Sequence, residues 1–126
     1  MKVVVFDTNF LLLPELSGID IFHETRKLVA EQHELATLSS VVAELERLRE
    51  ARSKRAVAAN VALKLISNNN VKIYETKLPA DQSLLDFALT HTGVVVCTND
   101  REVKRKLREN RIPVISPKGK SYLTFV

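Results

Sequence analysis

The chain has 126 residues, 45% of them hydrophobic and 27% charged, which is the size and balance of one globular domain over residues 1–126 and excludes a disordered or fibrous chain. Its 19 Lys and Arg outweigh 15 Asp and Glu for a formal charge of +4, and no apolar run approaches the roughly 20 residues of a membrane span, so no membrane partner is expected. A single cysteine, Cys97, excludes an internal disulfide and a cysteine-based zinc site; with an opening too short and too soon acidic for a signal peptide, the expected location is cytoplasmic.

Val3-Val4-Val5-Phe6 is a continuous β-branched and aromatic run that stops at Asp7. Continuous hydrophobicity suits a strand covered on both faces, as in a parallel sheet. Asp20 can cap a helix carrying Ile21, Phe22, Leu28 and Val29. Leu35–Leu38 reads as a strand, and Ser39 or Ser40 can cap a following helix with Val41, Leu45 and Leu48 on one face. An Ala-rich helix runs from about Lys54 to Ile66, then Val71–Tyr74 reads as a strand. Ala80-Asp81 opens a helix with Leu84, Leu85, Ala88 and Leu89. Val94–Cys97 repeats the opening strand pattern and stops at Thr98-Asn99-Asp100, a helix spans about Arg101 to Glu109, and Val114-Ile115 is a further short strand. The tail Tyr122–Phe125 can form an edge strand. Strands alternating with helices predict an α/β fold, a three-layer α/β/α sandwich around a mostly parallel sheet of about five strands.

Charge is unevenly placed. Residues 47–55 carry five bases (Arg47, Arg49, Arg52, Lys54, Arg55) and one acid, and residues 101–120 carry eight bases and two acids. Such clusters suit a phosphate-bearing partner, although basic runs are commonly just solvated helix faces.

The chain has five Asp, and two of them, Asp7 and Asp100, terminate the two strongest strands. Ligands of open parallel sheets bind beyond the carboxyl ends of the strands, so both acids are expected at one edge. Each also stands where it can cap a helix. Asp81 reads as a cap or a ligand. Asp86 falls roughly 140° further round the same helix and reads as solvated. Glu44 lies at the border of its helix's apolar face, with Leu48 near ~40° and Val41 near ~60° from it. An acid there needs a partner, either Arg47 one turn on or a ligand. Carboxylates that meet in one cleft stay ionised together only beside a cation, and an all-oxygen set selects Mg²⁺ or Mn²⁺. His23, His33 and His91 lie in no metal-binding motif and read as structural or surface residues.

These residues, taken together, resemble the PIN-domain nucleases. Val5-Phe6-Asp7-Thr8-Asn9 is similar to the family's opening motif and Val41-Val42-Ala43-Glu44-Leu45 to its helical Glu motif. Asp81-Gln82-Ser83-Leu84-Leu85-Asp86-Phe87-Ala88 is similar to the third motif and Val96-Cys97-Thr98-Asn99-Asp100 to the fourth. The order matches across about residues 2–116. Thr98–Leu107 followed by Ile112-Pro113-Val114 is closest to the branch that processes ribosomal RNA. That branch often has a second adjacent Asp at the third motif, where this chain has Gln82.

The resemblance implies a metal-dependent endoribonuclease that leaves a 5′-phosphate and a 3′-hydroxyl. It implies Mg²⁺ or Mn²⁺ held by Asp7, Asp81 and Asp100, with Glu44 binding it directly or through water, Thr98 and Thr8 orienting the carboxylates, and Asn9 contacting substrate or the exit loop of the first strand. RNA is expected to be held through its phosphates by Arg47, Arg52, Arg101, Lys104, Arg105 and Arg108. A homodimer, an antitoxin partner or a ribosome-assembly partner are family-level expectations. Two other readings within this resemblance are a VapC-type toxin and a non-catalytic RNA-binding or assembly factor that kept the fold. Aspartate-based phosphatases want a second Asp where Asn9 stands, and receiver domains want an Asp where Val71–Tyr74 leads into Glu75, so both fit poorly.

Overall fold

The computed structural model describes all 126 residues. In chain order the elements are β1 (Lys2–Phe6), α1 (Thr8–Leu11), α2 (Leu13–Ser17), α3 (Ile21–Leu28), β2 (His33–Leu38), α4 (Ser39–Arg49), α5 (Lys54–Asn68), β3 (Lys72–Tyr74), α6 (Ala80–Thr90), β4 (Val94–Cys97), α7 (Arg101–Glu109), β5 (Val114–Lys118) and β6 (Tyr122–Phe125). The strands form one sheet in the order β3-β2-β1-β4-β5-β6. Every pairing is parallel except the β5–β6 hairpin. The expected α/β architecture is therefore present, with six strands rather than five. The sixth is the C-terminal edge strand, antiparallel because a short turn at Gly119 returns the chain directly.

The continuous apolar runs explain the central strands. Val4, Val5 and Phe6 of β1 and all four residues of β4 are buried, so both faces of the sheet centre are covered by helices. The Phe6 ring meets Phe10 of α1 at 5.8 Å and Phe22 of α3 at 5.5 Å between centroids. That contact fixes the chain immediately after Asp7. Gly93 introduces β4 with φ of 68°, and a Cβ there would meet the Met1 carbonyl at 3.3 Å, so close pairing of β4 with β1 requires glycine. No helix is long and apolar enough to cross a membrane.

Helix starts differ in part from the sequence expectation. Asp20 caps α3, accepting from His23 N at 3.1 Å. Neither Ser39 nor Ser40 caps α4, because the extended Leu38 occupies the cap position. Their hydroxyls serve tertiary contacts instead. Ser39 Oγ accepts from Thr76 N at 2.8 Å, and Ser40 Oγ meets Ser83 Oγ of α6 at 2.7 Å. The Ala-rich helix α5 is capped by Ser53 and runs two residues beyond Ile66, to Asn68.

Candidate active site

β1 lies between β2 and β4, so the chain order reverses direction in the sheet at the β1–β4 junction. At such a switch point the loops leaving two adjacent strands diverge and open a crevice. Phe6 pairs with Cys97, which places Asp7 beside Thr98. Asp7 N donates to Cys97 O at 3.1 Å and Thr98 N to Ile115 O at 3.0 Å, so the backbone of both exits is tied into the sheet.

The two strand-terminating acids do cap helices. Asp7 Oδ1 accepts from Phe10 N at 2.8 Å, and Asp100 Oδ1 accepts from Val103 N at 2.9 Å. Capping uses one oxygen of each. The second oxygen of Asp7 accepts from the Thr98 hydroxyl. The same hydroxyl accepts from Asp100 N at 3.1 Å, so Thr98 bridges the two acids. Asn99 and Thr98 are held in turn by Ser116, whose Oγ donates to Thr98 O at 2.8 Å.

Glu44 is half-buried on α4 and forms no ion pair, so the Arg47 alternative is not realised. Asp81 is the second residue of α6 and does not cap it; Pro79 occupies the cap position. The Ser40–Ser83 hydrogen bond joins α4, four residues before Glu44, to α6, two residues after Asp81. Asp86 is exposed and lies outside this arrangement.

Asp7, Glu44, Asp81 and Asp100 line one cavity of about 100 Å³, with Thr8, Asn9 and an apolar rim that includes Val41, Leu84 and Val103. That volume holds a cation and several waters. A neighbouring groove of about 400 Å³ between α6 and α7 shares Asp81, Asp100 and Val103, and adds Gln82, Leu85, Glu102 and Lys106. Burial is the main cause that raises the Asp7 carboxyl from 3.8 to about 6. Hydrogen bonds from Thr98 and Phe10 oppose the rise, while the charges of Asp100 and Glu44 add to it. Asp7 thus feels the charges of two of the other three acids.

As the side chains stand, no three His, Cys, Asp or Glu groups are gathered tightly enough to hold a metal ion. Both oxygens of Asp7 and one of Asp100 are engaged in hydrogen bonds. Ionised carboxylates also repel one another without a counter-charge. The donor set, four carboxylates without His or Cys in the cavity, fits a hard divalent cation such as Mg²⁺ or Mn²⁺. Cys97 is fully buried, and burial followed by the Asp7 charge pushes its thiol well up, so it supplies no thiolate nucleophile.

None of the basic residues singled out by sequence lines the cavity. Arg47, Arg52, Arg101 and Arg108 are exposed, and Lys104 reaches Ser116 Oγ at 3.5 Å. Arg105 pairs with Glu102 and Glu109 on its own helix, so its charge is largely neutralised. A base not singled out, Arg55 of α5, donates to Asn9 Oδ1 at 3.1 Å. The only sequence signal for it is membership of the 47–55 basic run. Ser40 and Ser83 were likewise not legible as a pair, because nothing local links positions 43 residues apart.

A family model described as "PIN like domain" matches residues 4–120. Ribonuclease VapC4 of Methanocaldococcus jannaschii is 37% identical over 125 residues, covering 97% of this chain and 95% of the relative. Ribonuclease VapC9 of Archaeoglobus fulgidus is 35% identical over 115 residues, covering 90% and 82%. Among solved structures, the PIN domain endonuclease Utp24 superposes with a TM-score of 0.81 at 23% identity, covering 98% of this chain and 90% of that one. VapBC2 from Rickettsia felis, bound to a DNA fragment from its promoter, superposes with a TM-score of 0.58 at 14% identity, covering 93% and 100%. These two likenesses bear on the fold.

Proposed function

The chain belongs to the PIN-like domain family, and we propose that it is a divalent-metal-dependent endoribonuclease of the cytosol whose active site is the four-acid cavity. One observation carries this reading. Acids from four separate elements line a single cleft at the sheet's switch point, and burial together with two of its fellow acids raises Asp7 to about 6. Two near-full-length relatives that bear the name ribonuclease support the activity.

In this reading Asp7 and Asp100 hold the cation, and Asp81 and Glu44 complete the set directly or through water. Bound Mg²⁺ or Mn²⁺ supplies a water of lowered pKa and neutralises charge on the scissile phosphate. Thr98 keeps Asp7 aimed into the cavity and fixes the Asp100 backbone by the bridge described above. Thr8 shapes the floor and Asn9 the rim. The groove between α6 and α7 offers the RNA strand a path away from the acids, with Lys106 beside it. Arg47, Arg52, Arg101, Lys104 and Arg108 contribute a diffuse positive field for the phosphate backbone. Arg105 contributes less, because Glu102 and Glu109 already claim it.

The test is incubation of single-stranded and structured RNA with the protein in Mn²⁺ or in EDTA, beside Asp100→Asn. Cleavage in Mn²⁺ alone, lost in the variant, is expected. Cleavage that survives EDTA or the substitution contradicts the reading.

Two cellular roles fit such an enzyme. Resemblance of the Thr98–Leu107 stretch to the ribosomal-RNA-processing branch favours an RNA processor with a ribosome-assembly partner. The VapC names of the sequence relatives favour a toxin held by an antitoxin. Growth arrest on expression, relieved by the product of an adjacent gene, identifies the toxin; absence of arrest with defective rRNA maturation on deletion identifies the processor. A homodimer is compatible with either.

A further inference from the structure

We propose that Arg55 is the phosphate grip of this site, holding a non-bridging oxygen of the RNA backbone at the rim of the acid cavity. The proposal rests on the ribonuclease reading and adds a substrate contact to it.

Arg55 stands in the first turn of α5, where Ser53 Oγ accepts from Ala56 N at 3.1 Å and fixes the start of the helix. Its Nη2 donates to Asn9 Oδ1 at 3.1 Å. Asn9 lines the cavity two residues after Asp7. The hydrogen bond spans 46 residues and holds the guanidinium against the segment that leaves β1. No Lys or Arg lines the cavity itself, and Arg55 is the one basic side chain hydrogen-bonded to a residue that does.

Its partner also distinguishes it. Arg105 is closed off by two carboxylates, whereas Arg55 forms no ion pair and is exposed. A neutral amide oxygen leaves the full positive charge unspent, and leaves most of the five guanidinium N–H donors free. A planar fork of donors matches two oxygens of a phosphate. A phosphodiester nearing four carboxylates is repelled, and a bound divalent cation offsets only part of that charge. A fixed guanidinium at the rim opposes the repulsion where the backbone must arrive. Asn9 thereby acts as the positioning residue for Arg55.

The experiment measures binding and cleavage of a short labelled single-stranded RNA. Binding is followed by fluorescence anisotropy in the Asp100→Asn background across a salt series, and cleavage in the otherwise wild-type protein with Mn²⁺. Arg55→Ala is expected to weaken binding about tenfold or more, and to reduce the log–log salt slope by about 0.7, one single-strand phosphate contact. It is expected to lower kcat/KM by about 10–100-fold. Arg55→Lys recovers the slope but only part of the affinity, because a point charge replaces the fork. Lys64→Ala, on the same helix more than a Debye length away, removes equal charge and is expected to change binding less than about twofold. Unchanged affinity and slope in Arg55→Ala, or an equal loss in Lys64→Ala, overturns the proposal. Failure of wild type to cleave RNA in Mn²⁺ overturns the nuclease reading instead, and the anisotropy series still decides Arg55.

Discussion

The Thr98 hydroxyl donates to the Asp7 carboxylate across 91 residues of sequence, while it accepts the backbone N–H of Asp100. One hydroxyl therefore sets the orientation of one acid and the backbone of another. It also opposes the rise in the Asp7 pKa that burial imposes. Thr98→Val is expected to push Asp7 further above 6, so the acid limb of the pH–rate profile moves to higher pH. Thr98→Ser is expected to restore it. A Thr98→Val enzyme of reduced rate but unchanged pH profile would show that the hydroxyl is merely a packing element.

Asp7 carries a stability cost in the metal-free protein. Its folded pKa of about 6 lies above the ordinary 3.8, so the folded state binds the proton more tightly than the unfolded state. Stability is then lost as pH rises between about 4 and 6, and the cost is fully present above that window. In chelator at pH 7–8, Asp7→Asn is expected to be more stable than wild type by about 1–3 kcal/mol. Asn retains the oxygen that caps α1. The difference should vanish below about pH 4 in paired thermal melts. A destabilised variant at pH 8 would contradict the crowding of charge at this position.

The same proton competes with a cation for Asp7. Apparent Mn²⁺ affinity is expected to fall below pH 6 by up to about tenfold per unit, and to level off above pH 7. Activity titrations with Mn²⁺ at several pH values check this. Rates at saturating Mn²⁺ that keep the same acid limb would assign the limb to another group.

The Ser40–Ser83 bond joins the helices that carry Glu44 and Asp81. Ser83 Oγ also donates to Ala80 O at 3.1 Å, so Ser40 is left to donate to Ser83. Ser83→Ala is expected to cost about 1 kcal/mol and to lower cleavage more than RNA binding. A double-mutant cycle with Ser40→Ala should show a coupling of about 0.5 kcal/mol or more in urea unfolding. Additive losses would mean that the two hydroxyls act independently.

Much of this was legible in the chain itself, for identifiable reasons. Val3–Phe6 and Val94–Cys97 are continuous apolar runs ending in Asp7 and Asp100, so the parallel strands and the shared edge of their acids followed from burial on both faces. Angular position on α4 placed Glu44 at the border of its helix's apolar face, and the same argument set Asp86 apart from Asp81. What was not legible depends on pairings between distant elements. Ser39 and Ser40 carry a helix-cap signature, yet tertiary hydrogen bonds to Thr76 and Ser83 take both hydroxyls. Arg105 reads as a free base within a basic run, but Glu102 and Glu109 lie three and four residues away on one helix face. Arg55 looks like any other member of its cluster until the fold brings it to Asn9.

The central claim is that these four acids bind one divalent centre, and Mn²⁺ titration by calorimetry, paired with thermal melts, tests it most directly. Wild type is expected to bind Mn²⁺ and to gain about 2–3 kcal/mol of stability at a hundredfold excess over Kd. Asp7→Asn and Asp100→Asn are each expected to lose most of that binding while remaining folded. Equal Mn²⁺ binding by wild type and both variants, or none by wild type at pH 8, would contradict it.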